Sequence, residues 1–564
     1  MAFSRCYRSR LAIASTSGCF SRVTSCFRLK GPATASIHSL VNHSREQSSD
    51  LFEYTTGRWI WNDTLNHPER ERYFNVSEFK CLATSAVNRS VEDVVRFEKL
   101  GEGGFNRTFL ITMNDGFHFL RKNGIPVPKI FSYSATSENS AGTEYIFTDL
   151  VRGTNLGDVW FDLSKKARMT VVTRLVELES RLFALKFLAS GSLYYTKDLE
   201  VEINKVDVPT NDFPSNSGFC VGPDTRLNLW YGRRMRLDVD RGSFTESPAV
   251  LAAGARKETA YLEKLGRPLH PFQRLRREIY DYQRVSPSEH IQCLHKYLQV
   301  VPHVGCARLT PHIIPNGNAS LTRPILRHPD LQPNNIFVAD DLSITGVIDW
   351  QHSAVLPLFL QCGIPHSLQN YGDKISESLT HPELPHGFDE LSERERFEQV
   401  VLLRRRQLHY TYVMETAKLN PLHYAALSHA FSTLRRKLFE HASSPWEGDN
   451  VTLKADLIEL SQNWSSVISR TNDNACPITV SDHEVQECIR LNAAHVEADE
   501  QLQACRDVIG IGSEGWVPLG QYDEIRRRES TLKADALEAA ESEEERRMLP
   551  VHWIFGDFDE GEYL

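Results

Sequence analysis

The sequence predicts an α+β chain, with a small β-rich front part followed by a large helical part. Three observations predict it. Short apolar and β-branched runs cluster between residues 93 and 151. From about residue 165, apolar residues recur at three-and-four spacing, the period of a helix with one buried face. Between the later helical stretches lies one hairpin pattern, Ile336 to Val338 and Ile344 to Ile348 around Ala339 to Ser343. The 564 residues are 41% hydrophobic and 24% charged, which excludes wholesale disorder and fibrous classes. That length suffices for two or three domains, or one large two-lobed core with tails. No stretch approaches the roughly 18 uncharged apolar residues of a membrane-spanning helix, so no transmembrane segment is expected.

Residues 1–45 carry nine Ser, seven Lys or Arg and no Asp or Glu. Small apolar groups such as Leu11-Ala12-Ile13-Ala14 are interspersed. That composition predicts a mitochondrial transit peptide, drawn inward by the membrane potential. A plain basic tail is the bland alternative. A secretory signal needs a longer apolar core than Leu11 to Ser15. The whole chain has net charge -9, and without this stretch 57 basic face 73 acidic residues. An acidic body argues against nucleic acid as a partner. Cys6, Cys19 and Cys26 fall in the presequence. The other eight cysteines are scattered without a C-x-x-C pair, which fits reduced structural thiols rather than disulfides or zinc.

Residues 46–92 read as an N-terminal extension anchored by Trp59-Ile60-Trp61-Asn62. Asp93 to Leu100 and Thr108 to Met113 read as strands flanking Gly101 to Arg107, and Asn114-Asp115-Gly116 as a hairpin turn. Tyr145 to Val151 reads as a short buried strand, with Arg152 to Leu156 turning into a helix. Residues 196–248, rich in Asp, Asn, Pro and Gly, read as loop or insertion. Ser286-Pro287-Ser288-Glu289 has the pattern of a capping box opening a helix. Residues 394–470 are helical again. A loop is expected at about 471–522, then one highly charged helix from Asp523 to Met548. Trp553, Phe555 and Phe558 could dock a tail.

The chemistry concentrates in His328-Pro329-Asp330-Leu331-Gln332-Pro333-Asn334-Asn335, followed by the hairpin and then Asp349-Trp350. An antiparallel hairpin brings its two open ends together. Asn335 precedes the first strand and Asp349 follows the second, so an amide oxygen and a carboxylate are expected side by side. Such oxygen ligands suit Mg2+, which keeps water and phosphate oxygens as its other ligands. Asp330, five residues before Asn335, is placed to take a proton from a hydroxyl attacking a phosphate. His328 is expected to brace the loop by hydrogen bonding. A chance Asn/Asp-rich turn would explain 339–343, but not these four polar residues together.

The spacing H-x-D-x-x-x-x-N, then a hairpin and Asp, is the kinase catalytic-loop pattern, with His-Pro-Asp-Leu for His-Arg-Asp and Ile-Asp-Trp for Asp-Phe-Gly. In this form it resembles the aminoglycoside phosphotransferase and choline kinase-like families, over roughly residues 50–470. Within these it looks most like fungal mitochondrial proteins of the "altered inheritance of mitochondria 9" type. The resemblance implies a protein-kinase-like two-lobed fold that binds ATP and Mg2+ between its lobes. It implies phosphoryl transfer to a hydroxyl of a small molecule that the sequence does not specify. Gly101, Gly103, Gly104 and Phe105 would form the phosphate loop, although Gly101 to Gly104 could also be an ordinary hairpin loop. Glu144 to Leu150, with Phe147, would be the hinge strand that offers backbone groups to adenine.

One part of that pattern is short. Relatives are expected to carry a third strand with a phosphate-binding Lys or Arg, then a helix with the Glu that orients it. Here Pro126 follows Gly116 by ten residues. A strand, a three-turn helix and their loops need roughly 25. Arg121 and Lys122 are the nearby cations, with no acid placed to orient them. Nucleotide affinity and transfer rate are both expected to suffer. A catalytically impaired relative that acts as a binding protein is therefore the second reading. The organisation expected is a presequence (1–45), an extension (46–92) and a truncated front lobe (93–151). A helical lobe (152–470) and a C-terminal extension (471–564) follow, with the charged helix as a possible protein-binding element.

Overall fold

The computed structural model describes residues 51–102, 107–113, 125–209, 218–304, 321–468 and 475–564. The presequence, Gly103 to Phe105, the Asn114–Gly116 turn, Arg121, Lys122 and Cys306 lie outside the described residues.

The front part holds β1 (Gly57–Trp59), α1 (Val76–Ala86), β2 (Val94–Glu102), β3 (Arg107–Met113), β4 (Ile130–Ser134) and β5 (Tyr145–Thr148). β2 pairs with β3 and β4 with β5, both antiparallel, as two separate ladders among the described residues. α1 joins them. Its Phe79 ring lies 6.0 Å from Phe97 on β2 and 5.0 Å from Phe147 on β5. Alternation along β5 sends Tyr145 and Phe147 into this aromatic core and leaves Ile146 66% exposed. The expected buried strand is thus a half-exposed one that ends at Thr148.

β6 (Thr154–Asn155) leads to α2 (Lys165–Ala184). Ser164 caps α2 by accepting from the Ala167 N–H. Its stripe Val171, Leu175, Leu178 and Leu182 is fully buried at helical spacing. The expected 196–248 loop carries short elements. β7 (Ser192–Tyr195), β8 (Val206–Asp207) and β9 (Phe219–Gly222) form a three-stranded sheet in the order β7-β9-β8. α3 (Ser247–Leu265) and α4 (Ser288–Val304) pack together in the main core. α4 begins where the 286–289 pattern places it, but the capping box does not form. Glu289 instead reaches across to Lys454 at 2.5 Å and to Asn450, a stronger charge-assisted partner than a backbone amide.

β10 (Pro324–Leu326), β11 (Ile336–Val338), β12 (Ile344–Val347) and β13 (Val355–Pro357) follow. β10 pairs with β13, and β11 sits between β12 and β6. The hairpin is therefore one of several small ladders within the helical part. α5 (Glu393–Leu419), opened by a Ser392–Glu395 capping box, lies along α2. α6 (Ser432–Ser443) and α7 (Val451–Gln462) complete the main core.

The C-terminal region departs most from expectation. The expected 471–522 loop contains α8 (Asp482–Ile509), 28 residues long, opened by a Ser481–Glu484 capping box and closed by Gly510 at φ 84°. Its buried stripe is Cys488, His495, Ala498, Leu502, Cys505 and Ile509, mostly small or weakly apolar residues, so its periodicity is faint. The expected single charged helix is two, α9 (Tyr522–Glu538) and α10 (Glu543–Val551). β14 (Trp516–Pro518) pairs antiparallel with β1, Trp59 opposite Trp516. Ile60, Leu502, Ile509, Val517, Trp553 and Phe555 share one core. Residues 57–61 and the C-terminal extension therefore form a joint subdomain, while α1 of the N-terminal extension belongs to the front core. Trp553 and Phe555 dock as expected, each 1% exposed.

Candidate functional site

The site grows from the β11–β12 hairpin. Ile336 pairs with Val347, and beyond that pair the Ile348 N–H donates to the Asn335 carbonyl at 3.0 Å. Asn335 and Asp349 thus stand at the hairpin's open end on neighbouring strands. Pro333 starts a short 3-10 turn over Pro333–Asn335. Asn155 fixes that turn from outside by donating to the Asn334 carbonyl at 2.9 Å.

His328 is 3% exposed. Its Nδ1 accepts from the Asp330 N–H at 3.1 Å, so Nε2 carries the proton and donates to the Ile348 carbonyl at 2.9 Å. One neutral imidazole therefore ties the 328–330 loop to the strand that delivers Asp349. Burial lowers its pKa and keeps it neutral. Trp350 sets its ring edge-on to His328, with centroids 4.6 Å apart.

Asp330 is exposed and receives two side-chain donors on Oδ2, Gln332 at 2.7 Å and Asn335 Nδ2 at 3.2 Å. Asn335 Nδ2 also donates to the Asp330 carbonyl at 2.9 Å. Both contacts use the amide nitrogen, and Asn335 Oδ1 accepts no hydrogen bond among the described residues. Desolvation raises the Asp330 pKa, against the lowering effect of the two amides.

Asp349 has a left-handed backbone, φ 63°, which a non-glycine residue adopts at a cost. Its carboxylate has no hydrogen-bond partner among the described residues. Its pKa is raised by desolvation first and also by the Asp330 charge, against His328 and His352. A strained, unpartnered carboxylate beside an available amide oxygen fits a hard divalent cation. Among the described residues no group of three or more His, Cys, Asp or Glu could hold a metal, so water and ligand oxygens would complete the shell.

The other expected residues fall elsewhere. Gly101 is the last residue but one of β2, before Glu102, whose carboxylate accepts from the Thr55 and Thr56 N–H groups and from Lys99. Gly103, Gly104 and Phe105 lie outside the described residues. Glu144 is exposed just before β5. The Phe147 side chain is committed to the aromatic core against Phe79, so only its backbone is available to a ligand.

Sequence reasoning missed the group behind the loop. Arg327 donates from Nε to Glu179 of α2 at 2.7 Å and to the carbonyls of Gln361 and Gly363. Tyr412 of α5 donates to the other Glu179 oxygen at 2.5 Å. The adjacency of Arg327 to His328 was the available signal, but its partners lie 148 and 85 residues away.

No family model matches the chain. Curated relatives do. A "Subtelomeric hrmA-associated cluster protein" of Aspergillus fumigatus is 28% identical over 79% of this chain and 93% of its own length. "Altered inheritance of mitochondria protein 9, mitochondrial" of Saccharomyces cerevisiae is 23% identical over 73% of this chain and 67% of its own. The Candida tropicalis protein of that name is 20% identical over 86% of this chain and 87% of its own. The likeness to this group is the one the catalytic-loop residues suggested. Relatives of that name across several yeasts cover most of the chain, and its location is mitochondrial.

Proposed function

We propose that the chain is a mitochondrial phosphotransferase-like protein with a kinase-like, two-lobed architecture, similar to the aminoglycoside phosphotransferase and choline kinase-like families. It takes ATP and Mg2+ and transfers a phosphoryl group to a hydroxyl of a small molecule. The observation that carries this reading is the hairpin mouth. There Asn335 Oδ1 and an unpartnered Asp349 carboxylate stand beside Asp330, with His328 tying the two sides together.

Asn335 Oδ1 and Asp349 would hold the cation, which when bound neutralises charge on the transferred phosphate. Asp330 keeps Oδ2 engaged by Gln332 and Asn335 and presents Oδ1 to the substrate hydroxyl. It receives that proton as the hydroxyl oxygen attacks the terminal phosphorus of ATP and the bond to the departing ADP breaks, a contribution of about 10²–10⁴ in rate. His328 moves no proton in this scheme. Its neutral tautomer fixes distances.

A second reading, a catalytically impaired relative acting by binding, is favoured by the short 117–128 stretch and by the two separate front ladders. Thermal unfolding of the full chain with and without Mg·ATP tests both. A Mg2+-dependent upshift that Asp349→Ala abolishes supports the nucleotide site. No shift in a folded sample removes the phosphotransferase reading and leaves the binding one.

A further inference from the structure

A groove of about 460 Å³ opens between the start of α2 and the middle of α5, away from the hairpin residues described above. Its floor is Leu163, Val400 and Leu403, and its walls carry Lys165, Arg168 and Arg404 against one acid, Asp162. Both guanidiniums lack a hydrogen-bond or ion-pair partner among the described residues. They face each other closely enough that Arg404, after desolvation, lowers the Arg168 pKa. Arg168 is partly buried and Arg404 exposed; the partly buried Arg276 and Arg406 are matched, by Asp449 and Asp499 and by Asp373. Two like charges held together without a counterion leave a local demand for an anion.

The rim adds a second observation. Phe161, on the turn before α2, lines the groove and is 85% exposed. Phe397 lies on α5 three residues before Val400 and seven before Arg404, hence on the same face, and is 68% exposed. Lys165 lines the same groove. A small soluble anion would satisfy the arginines and leave both phenyl groups in water. A bilayer surface accounts for both features, because phosphates meet the guanidiniums while the rings enter the acyl boundary.

We propose that this basic groove, with Phe161 and Phe397 at its rim, is a docking surface for a membrane rich in anionic phospholipid. The chain then works as a peripheral protein, held by charge and two shallow aromatic anchors. No spanning helix is needed, and among the described residues no helix is long and apolar enough to cross a membrane.

Co-sedimentation of the full chain with vesicles tests this. Vesicles of phosphatidylcholine alone are compared with vesicles containing phosphatidylglycerol. Every sample keeps residues 1–45, so their basic charge is common to all. The proposal expects binding to the anionic vesicles that weakens with salt. Arg168→Gln with Arg404→Gln should weaken it about 25-fold, at roughly fivefold per basic residue. Phe161→Ser should weaken it severalfold at unchanged melting temperature. Equal binding to both vesicle types, or anionic binding that the double variant retains, overturns the proposal. Arg168-dependent capture of poly-glutamate without vesicle binding also overturns it, in favour of an acidic protein partner.

Discussion

Arg327 and Glu179 meet at 2.7 Å in the interior, joining the residue before His328 to the middle of α2. Burial alone would favour a neutral Arg327, but the facing Glu179 charge holds it protonated. The carboxylate's second oxygen is held by Tyr412. The loop that carries Asp330 is thereby braced from behind by two helices. Glu179→Ala leaves a buried guanidinium without its counter-charge and should cost about 3–5 kcal/mol. Tyr412→Phe removes the hydrogen bond it donates to Glu179 and the weaker one it accepts from Arg327 at 3.2 Å, and should cost about 1.5–3 kcal/mol. Urea unfolding of both variants checks the order, and equal effects would contradict the brace.

Asn335 has two separable jobs, two hydrogen bonds to Asp330 and one available oxygen. Asn335→Asp keeps an oxygen toward a cation but cannot donate to Asp330, and it adds a third carboxylate. It should disturb the loop more than Asp349→Asn, which leaves both hydrogen bonds of His328 intact. Nucleotide-dependent melting shifts should therefore fall in both variants, while basal stability falls mainly in Asn335→Asp.

The raised carboxyls of Asp330 and Asp349 give a pH signature. Each binds its proton at a higher pH than an ordinary aspartate, and a proton competes with a cation for the same oxygen. Mg2+-dependent nucleotide binding should weaken on acidification already above the usual aspartate range near 3.8. A midpoint at or below the ordinary range in calorimetric titrations would contradict it.

His290 is fully buried in α4, and neither ring nitrogen has a hydrogen-bond partner. Glu258, Asp449, Lys257 and Arg234 face it, and burial dominates, lowering its pKa to about 4. Between about 4 and the ordinary imidazole value of 6.5 the unfolded chain binds the extra proton. Stability should therefore rise with pH across that window, by up to roughly 3 kcal/mol at about 1.36 kcal/mol per unit. His290→Leu should flatten this dependence in melting curves between pH 4 and 7, at little cost near pH 7.

The β1–β14 pairing closes the joint subdomain. A Cβ on Gly57 would collide with the Trp516 ring. Gly57→Val should cost about 1–3 kcal/mol locally by overpacking. Limited proteolysis should then cut faster within 516–564 than in the main core, whereas uniform protection would show that the clasp contributes little.

Much of this chain was legible in sequence because its signals are local. The β2 and β3 runs, the helical spacing from about residue 165 and the 336–348 hairpin each need only neighbouring residues to be recognised. The hairpin itself dictates that Asn335 and Asp349 become neighbours, since antiparallel pairing joins its open ends. The stripe of α8 was not legible because Cys, His and Ala bury one face without a strong apolar period. Glu289 could not be read correctly because a capping amide lost to Lys454, a partner 165 residues away.

By itself the sequence determined the hairpin mouth, the acidic body behind a basic leader, and the helical character of most of the second half. The tertiary structure alone decided what stands behind and around them. It brought Glu179 and Tyr412 to Arg327, seated α1 between two front ladders, and clasped residues 57–59 to 516–518. It also brought Arg168 of α2 and Arg404 of α5 to the walls of one groove. The physical reason is range. Turns, caps and hairpins are selected by the energies of a few adjacent residues, whereas buried charge pairs and core contacts depend on which distant segments share a volume.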